Sequence, residues 1–196
     1  DDAARISEHY EPCILDVEEG GHSSPCTGSE GWYDYADMAI ACITDSVVVD
    51  GHTRYIFDSW TTDASGSRAH HSNSISMTDY MTATATWRTQ YELTLSYTGC
   101  GIGIPLMSGG GWYDAGTSAP ITTDESLWAG GLRYEFDTWT STPGGATFGS
   151  TTDAATTILM DSPWEAVANY ELSAVNVTFE TTGGYDTVIV DSARQH

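Results

Sequence analysis

The chain has 196 residues, and its 28 acidic side chains against six arginines and no lysine give a formal net charge of −22 at pH 7. Such a charge repels nucleic-acid phosphates and anionic lipid, which argues against nucleic-acid or acidic-membrane partners. No apolar run approaches the roughly 18 to 20 residues that a membrane span requires, so the sequence predicts no membrane span.

The acidic composition leaves two interpretations open. It provides solubility through self-repulsion, or it suits high salt or divalent cations such as calcium that bridge carboxylates between subunits. The sequence starts at Asp1 without a signal peptide, as a mature secreted protein or a trimmed fragment would. We therefore expect an extracellular protein.

A motif that occurs twice organises the sequence. Gly-Trp-Tyr-Asp stands at residues 31–34 and again at 111–114, and the pattern Arg-Tyr-x-Phe-Asp-x-Trp-Thr follows each copy, at 54–61 and 133–140. The tryptophan and the arginine are 22 positions apart in the first copy and 21 in the second. Two long matches at nearly one spacing predict an internal repeat.

The repeat divides the chain into five predicted segments, with partial repeats at both ends. They are an N-terminal strand and loop (1–30), a first β-repeat module (31–98), a glycine-rich linker (99–110), a second β-repeat module (111–172) and a C-terminal edge strand (173–196). We expect the chain to begin and end inside repeats.

Alternation of apolar and polar residues with period two dominates the modules. In residues 81–88, Ala83, Ala85 and Trp87 share one face, and residues 164–170 repeat this arrangement. Glycine-rich turns separate the segments, and no stretch has the pattern of an amphipathic helix. The sequence predicts an all-β fold of short antiparallel strands.

The four cysteines, Cys13, Cys26, Cys42 and Cys100, have no C-x-x-C spacing. This favours disulfides in an oxidising compartment over zinc or thiol-redox motifs. Of the three possible pairings, we favour Cys13–Cys26 with Cys42–Cys100, because the first bond closes a short loop. Disulfides between subunits are the alternative.

The combination of motifs resembles a known family. G-W-Y-D, the R-Y-x-F-x-x-W strand, a methionine-containing strand and T-A-T-A-T-W-R-T-Q-Y at 82–91 resemble the β-repeats of archaeal cell-surface proteins. These repeats are frequent in methanogen envelope proteins and distantly similar to internalin B-repeats. The resemblance covers 31–95 and 111–170 and implies β-grasp-like or sandwich-like modules with an extracellular structural role. A short chain that is nearly all repeat is similar to a methanogen sheath subunit.

Three aspartates, Asp34, Asp114 and Asp186, recur at one position of the G-W-Y-D turn or its C-terminal echo. They cap the turn through side-chain hydrogen bonds, or they supply oxygen ligands to calcium. No D-x-D-x-D-G loop strengthens the calcium interpretation. His70 and His71 also suggest a metal, but adjacent strand residues face opposite ways and no third ligand is evident, so we favour a solvated serine-rich loop.

The aromatic residues of the motif, Trp32, Tyr33, Trp112 and Tyr113, also have two interpretations. They form an aromatic plug beneath a glycine turn, or they stack on the rings of a glycan. Asn176 begins an Asn-Val-Thr sequon, which marks either a glycosylation site or an ordinary strand residue.

The predicted function is structural. Residues Thr187, Val188, Ile189 and Val190 form a β-branched strand in a chain without the lysines that commonly guard strand edges. We expect this edge to pair with another copy and build a homopolymer such as a sheath, filament or surface layer. The alternative is a secreted carbohydrate-binding or adhesion module that uses the G-W-Y-D aromatics. No nucleophile elbow, zinc-protease helix or phosphate loop occurs, so we predict no enzyme and no cofactor beyond calcium.

Overall fold

The computed structural model describes residues 12–181 and 184–191; at 174 and from 176 onward it describes the main chain alone. The described residues form fourteen β-strands and no helix. The predicted all-β class is therefore confirmed. The chain divides into two compact units, Asp1–Gln90 and Tyr91–His196.

Six strands and the first half of a seventh belong to the first unit. They are β1 (Cys13–Glu18), β2 (Gly31–Tyr33), β3 (Met38–Ala39), β4 (Val47–Asp50), β5 (Thr53–Thr62), β6 (Ile75–Ser76) and β7 (Met81–Thr98). Strand β1 pairs antiparallel with β2 and parallel with β7. The β4–β5 hairpin joins β7 through β5, while β3 and β6 form a separate antiparallel pair.

The second half of β7 and seven further strands belong to the second unit. These are β8 (Gly111–Asp114), β9 (Ser118–Thr122), β10 (Ser126–Ala129), β11 (Leu132–Thr142), β12 (Ala155–Leu159), β13 (Trp164–Thr181) and β14 (Gly184–Asp191). Here β7 pairs with β8 and, in parallel, with β13. The β10–β11 hairpin joins β13 through β11, β9 pairs with β12, and β14 pairs with β13.

The order of strand pairings is thus the same in the two units, apart from the additional strand β14. The division between the units falls inside β7, ahead of the glycine-rich segment 99–110 that the sequence marks as a linker. The module boundaries that we drew from the sequence repeat stay a prediction.

The prediction of short antiparallel strands needs a correction. Strands β7 and β13 are each 18 residues long, and the pairs β1–β7 and β7–β13 are parallel. Parallel neighbours require a crossover connection. In each unit the intervening strands supply that crossover, so the return strand arrives in the same direction as the strand that left.

Each unit has its own hydrophobic core, built from the faces that the period-two pattern marks. Ala83 and Ala85 are buried in the first unit, and Ala166, Ala168 and Tyr170 are buried in the second. The alanines leave room for the large aromatic side chains beside them. The predicted assignment of these strand faces is confirmed.

A register shift in β11 brings two aromatic rings to one core. Between Phe136 and Thr138 the pairing with β13 skips a residue, which is the geometry of a β-bulge. Because the bulge absorbs Asp137, Phe136 and Trp139 both face inward, with ring centroids 5.5 Å apart. In the first unit, the rings of the F-D-x-W pattern lie 5.4 Å apart.

Candidate functional site

The tyrosine of each G-W-Y-D motif packs against the core of its own unit. The hydroxyl of Tyr113 donates to the carbonyl of Gly109 at 2.8 Å, and that of Tyr33 to the carbonyl of Gly28 at 3.4 Å. Each tyrosine thus closes the loop that precedes its motif. Trp32 does not pack against a core in this way, since its side chain is 69% exposed. The plug interpretation therefore describes the tyrosines but not Trp32.

Removing the Tyr113 hydroxyl is expected to lower the free energy of unfolding by about 0.5–1.5 kcal/mol, the net contribution of one good hydrogen bond. Tyr33→Phe is the matched variant and should cost less, because its bond is longer and exposed to water. Urea denaturation of both variants measures the difference. Equal losses would contradict the assigned role of the Tyr113 bond.

The aspartates of the motif close their turns through the main chain. Asp37 N–H donates to the Asp34 carbonyl, and Thr117 donates through both its N–H and its hydroxyl to the Asp114 carbonyl. Within the described residues, neither aspartate belongs to a group of three His, Cys, Asp or Glu side chains close enough to hold an ion. Side-chain capping and calcium binding at these turns stay the two alternatives. Asp186 lies on β14, where the structure describes the main chain alone.

The predicted cysteine pairing is wrong. Cys26 bonds to Cys42, with their Cα atoms 5.3 Å apart, whereas Cys13 and Cys100 are free and buried. Cys13 lies on β1 and faces the first core, and Cys100 lies in the core of the second unit. The sequence could not reveal that the loop 24–29 lies beside the segment 41–45.

The buried thiol of Cys100 has low reactivity. It donates to the Gly103 carbonyl at 3.3 Å, and burial raises the pKa of this thiol above its usual value. Its nucleophilic thiolate form is correspondingly scarce at neutral pH.

Two short strands at sheet edges expose apolar side chains to solvent. Within the described residues, β4 pairs with β5 and no other strand, and β10 pairs with β11 and no other strand. Val47 and Val49 on β4 are exposed, the latter by 59%, and Trp128 on β10 is 47% exposed. Neither strand carries lysine or proline, the residues that commonly guard strand edges.

The predicted assembly strand also lies at an edge. Residues Thr187, Val188, Ile189 and Val190 belong to β14, which in the described part of the chain pairs with β13 alone. Asn176, the sequon residue, lies on β13 opposite Ile189. Its main chain is therefore part of the sheet that β14 borders.

An exposed apolar row occupies the glycine-rich segment. Its members are Ile102, Ile104 and Leu106, which are 78–82% exposed, while Gly103 and Pro105 between them are buried. A Cβ at Gly103 would collide with side chains of β10, so glycine lets the segment lie against that strand. The Asp124 carboxylate accepts from Leu106 N–H at 2.8 Å. These contacts hold the segment against the unit while the three side chains of the row face solvent.

Sequence reasoning missed this apolar row because we treated residues 99–110 as a linker. The signal was present in the sequence, since Ile-Gly-Ile-Pro-Leu alternates apolar side chains with glycine and proline. It also missed that His70 lies beside the disulfide. The ligand atoms of Cys26, Cys42 and His70 lie within 4.8 Å of one another.

Among the described residues, no helix is long and apolar enough to cross a membrane. In comparisons with known proteins, no protein-family model matches the chain, and no curated protein and no solved structure does either. The resemblance to archaeal surface β-repeats therefore stays a prediction.

Proposed function

We propose that this chain is an extracellular structural protein that assembles with copies of itself through strand edges into a sheath, filament or layer. The observation that carries the proposal is the presence of unguarded strand edges with outward apolar side chains, on β4 in the first unit and on β10 in the second. The Cys26–Cys42 disulfide supports an oxidising, extracellular location.

An open strand edge offers unpaired main-chain donors and acceptors to any strand that approaches it. Soluble β proteins commonly block this pairing with lysine, proline or a covering segment. Lysine is absent from this chain, and β4, β10 and β14 each pair with a single strand in the described residues. Edge-to-edge pairing would therefore extend the sheets of one copy into the next.

The apolar row of Ile102, Ile104 and Leu106 adds a hydrophobic contribution. Full burial of one such side chain contributes about 1.5–3 kcal/mol, so covering the row stabilises a contact by several kcal/mol before the cost of association is subtracted. The row lies against β10, whose outward side chain Trp128 is also exposed. An apolar surface next to an open edge is a suitable contact for a second copy.

Charge repulsion between copies opposes this contact. With a net charge of −22, two copies repel strongly at low ionic strength. Salt reduces the effect, because the screening length falls to about 8 Å at 0.15 M and about 3 Å at 1 M. Assembly should therefore strengthen with salt, whereas a contact between opposite charges would weaken.

Sedimentation velocity over a range of protein and salt concentrations tests the proposal, with negative-stain images of the pelleted material. We expect large species that grow with protein concentration and with salt. A discrete monomer at high concentration in 1 M salt, in the presence of calcium and oxidant, would overturn the proposal.

The alternative function, a secreted carbohydrate-binding or adhesion module, rests on one observation. Trp32 is exposed beside a glycine turn, as a tryptophan that stacks on a sugar ring would be. If this function holds, Trp32→Ala should abolish binding on a glycan array, while Tyr113→Phe, which leaves Trp32 in place, should preserve it. No glycan signal for the wild-type protein would remove this alternative.

A further inference from the structure

We propose that Cys26, Cys42 and His70 form a zinc-binding site once the disulfide between the two cysteines is reduced. None of the three residues belongs to β4, β10 or β14, and the proposal does not depend on the proposed function. Two thiolates and an imidazole are ligands that Zn²⁺ prefers in proteins.

The spacing of the three ligand atoms suits one ion. They lie within 4.8 Å of one another, whereas bonds of about 2.0–2.3 Å to a tetrahedral zinc place its ligands about 3.5–4 Å apart. Breaking the sulfur–sulfur bond lets the two sulfurs move to that separation. The required displacement of the sulfurs is on the order of 1–2 Å.

Hydrogen bonds hold the three ligand-bearing segments together without the disulfide. Cys26 N–H donates to the Cys42 carbonyl at 3.0 Å, and the buried Ser29 hydroxyl donates to both cysteine carbonyls. Ile43 N–H donates to the carbonyl of Ala69, the neighbour of His70, at 3.0 Å. None of these bonds involves sulfur, so we expect the arrangement to persist after reduction.

A main-chain carbonyl sets the tautomer of the His70 ring. Nδ1 of His70 lies 2.7 Å from the carbonyl oxygen of Ile43. Since a carbonyl only accepts, Nδ1 carries the proton, and the lone pair of the neutral ring is on Nε2. A main-chain carbonyl that fixes the tautomer in this way is the usual outer partner of a zinc-bound histidine.

A phosphine reduces the Cys26–Cys42 disulfide before zinc binds. The phosphine gives two electrons to the disulfide and becomes a phosphine oxide by taking oxygen from water, which leaves two thiols. Each thiol then loses its proton as its sulfur binds Zn²⁺, so two protons are released per ion. The three side chains are half-buried or exposed, and water can occupy the fourth position.

Titration of the phosphine-reduced protein with Zn²⁺ in a calorimeter tests the site, with Cd²⁺ as an optical probe of thiolate binding. We expect one ion per chain and a cadmium–thiolate absorption band. The oxidised protein is the matched control, because it keeps the Cys13 and Cys100 thiols but lacks the pair. It should bind no ion in this affinity range.

His70 and its neighbour His71 provide a second matched comparison of zinc affinity. His70→Ala should weaken zinc binding at least about tenfold, whereas His71→Ala should leave it unchanged. Both residues are exposed, so neither change is expected to disturb folding. The proposal is overturned if the oxidised protein binds equally well, if both variants lose the same affinity, or if tryptophan fluorescence shows that reduction unfolds the first unit.

Discussion

Replacing Val49 and Trp128 with lysine is expected to weaken assembly strongly. Each substitution places an ammonium on an outward position of an open edge strand, where pairing with a second copy would have to desolvate it. Each also removes an apolar side chain from the proposed contact. Because two added lysines reduce the net negative charge, a purely electrostatic account predicts stronger assembly instead.

The control is a pair of lysines on exposed loop positions, Ser67→Lys and Thr152→Lys, one in each unit. This variant has the same net charge as the edge variant and leaves β4 and β10 intact. We expect it to sediment like the wild-type protein. If the edge variant also sediments like the wild type, the edges of β4 and β10 are not the contact.

The largest effect on stability is expected at Trp139. It is 1% exposed, packs against Phe136, and donates from Nε1 to the carbonyl of Asp153 at 3.1 Å. Trp139→Ala removes this buried ring and leaves the carbonyl without its donor. We expect the free energy of unfolding to fall by about 3–5 kcal/mol, as measured by urea denaturation.

Trp60 in the first unit is the matched position. It is buried, and its Nε1 donates to the carbonyl of Arg68 at 3.0 Å. Trp60→Ala should therefore lower the free energy of unfolding by a similar amount. Trp128→Ala removes a half-exposed ring and should change stability by less than about 1 kcal/mol. Similar losses at Trp128 and Trp139 would contradict the assigned core.

The sequence predicts the strand faces well because burial imposes a strict period of two. Ala166 and Ala168 are buried beside Tyr170, as the pattern of residues 164–170 indicates. The same rule fails at Asp137, where the bulge changes which face the following residues occupy. A bulge depends on pairing with β13, which local alternation does not reveal.

The predicted cysteine pairing is wrong for a similar reason, because it ignored contacts between segments that are distant in the sequence. A short loop between Cys13 and Cys26 looked favourable by entropy, but Cys13 faces inward from β1. Cys26 reaches Cys42 because the Pro25–Ile43 bridge brings their loops together. Such contacts follow from the fold of the whole unit and not from spacing along the chain.

The candidate assembly surface was predicted only in part. Absence of lysine and the β-branched run at 187–190 predicted an open edge, and in the described part of the chain β14 pairs with β13 alone. Exposure of Val49 and Trp128 could not be predicted, because an apolar residue on a short strand is buried or exposed according to what covers it. The alternation of Ile102, Ile104 and Leu106 with glycine and proline is visible in the sequence, but it does not reveal that these side chains face outward.

Hydrogen–deuterium exchange of assembled and dispersed protein tests strand-edge assembly most directly. We expect main-chain amides of β4, β10 and β14 to exchange more slowly in the assembled material, while exchange in the exposed loop around Ser67 is unchanged. Assembled material with the same exchange at these three strands as the dispersed chain would contradict it.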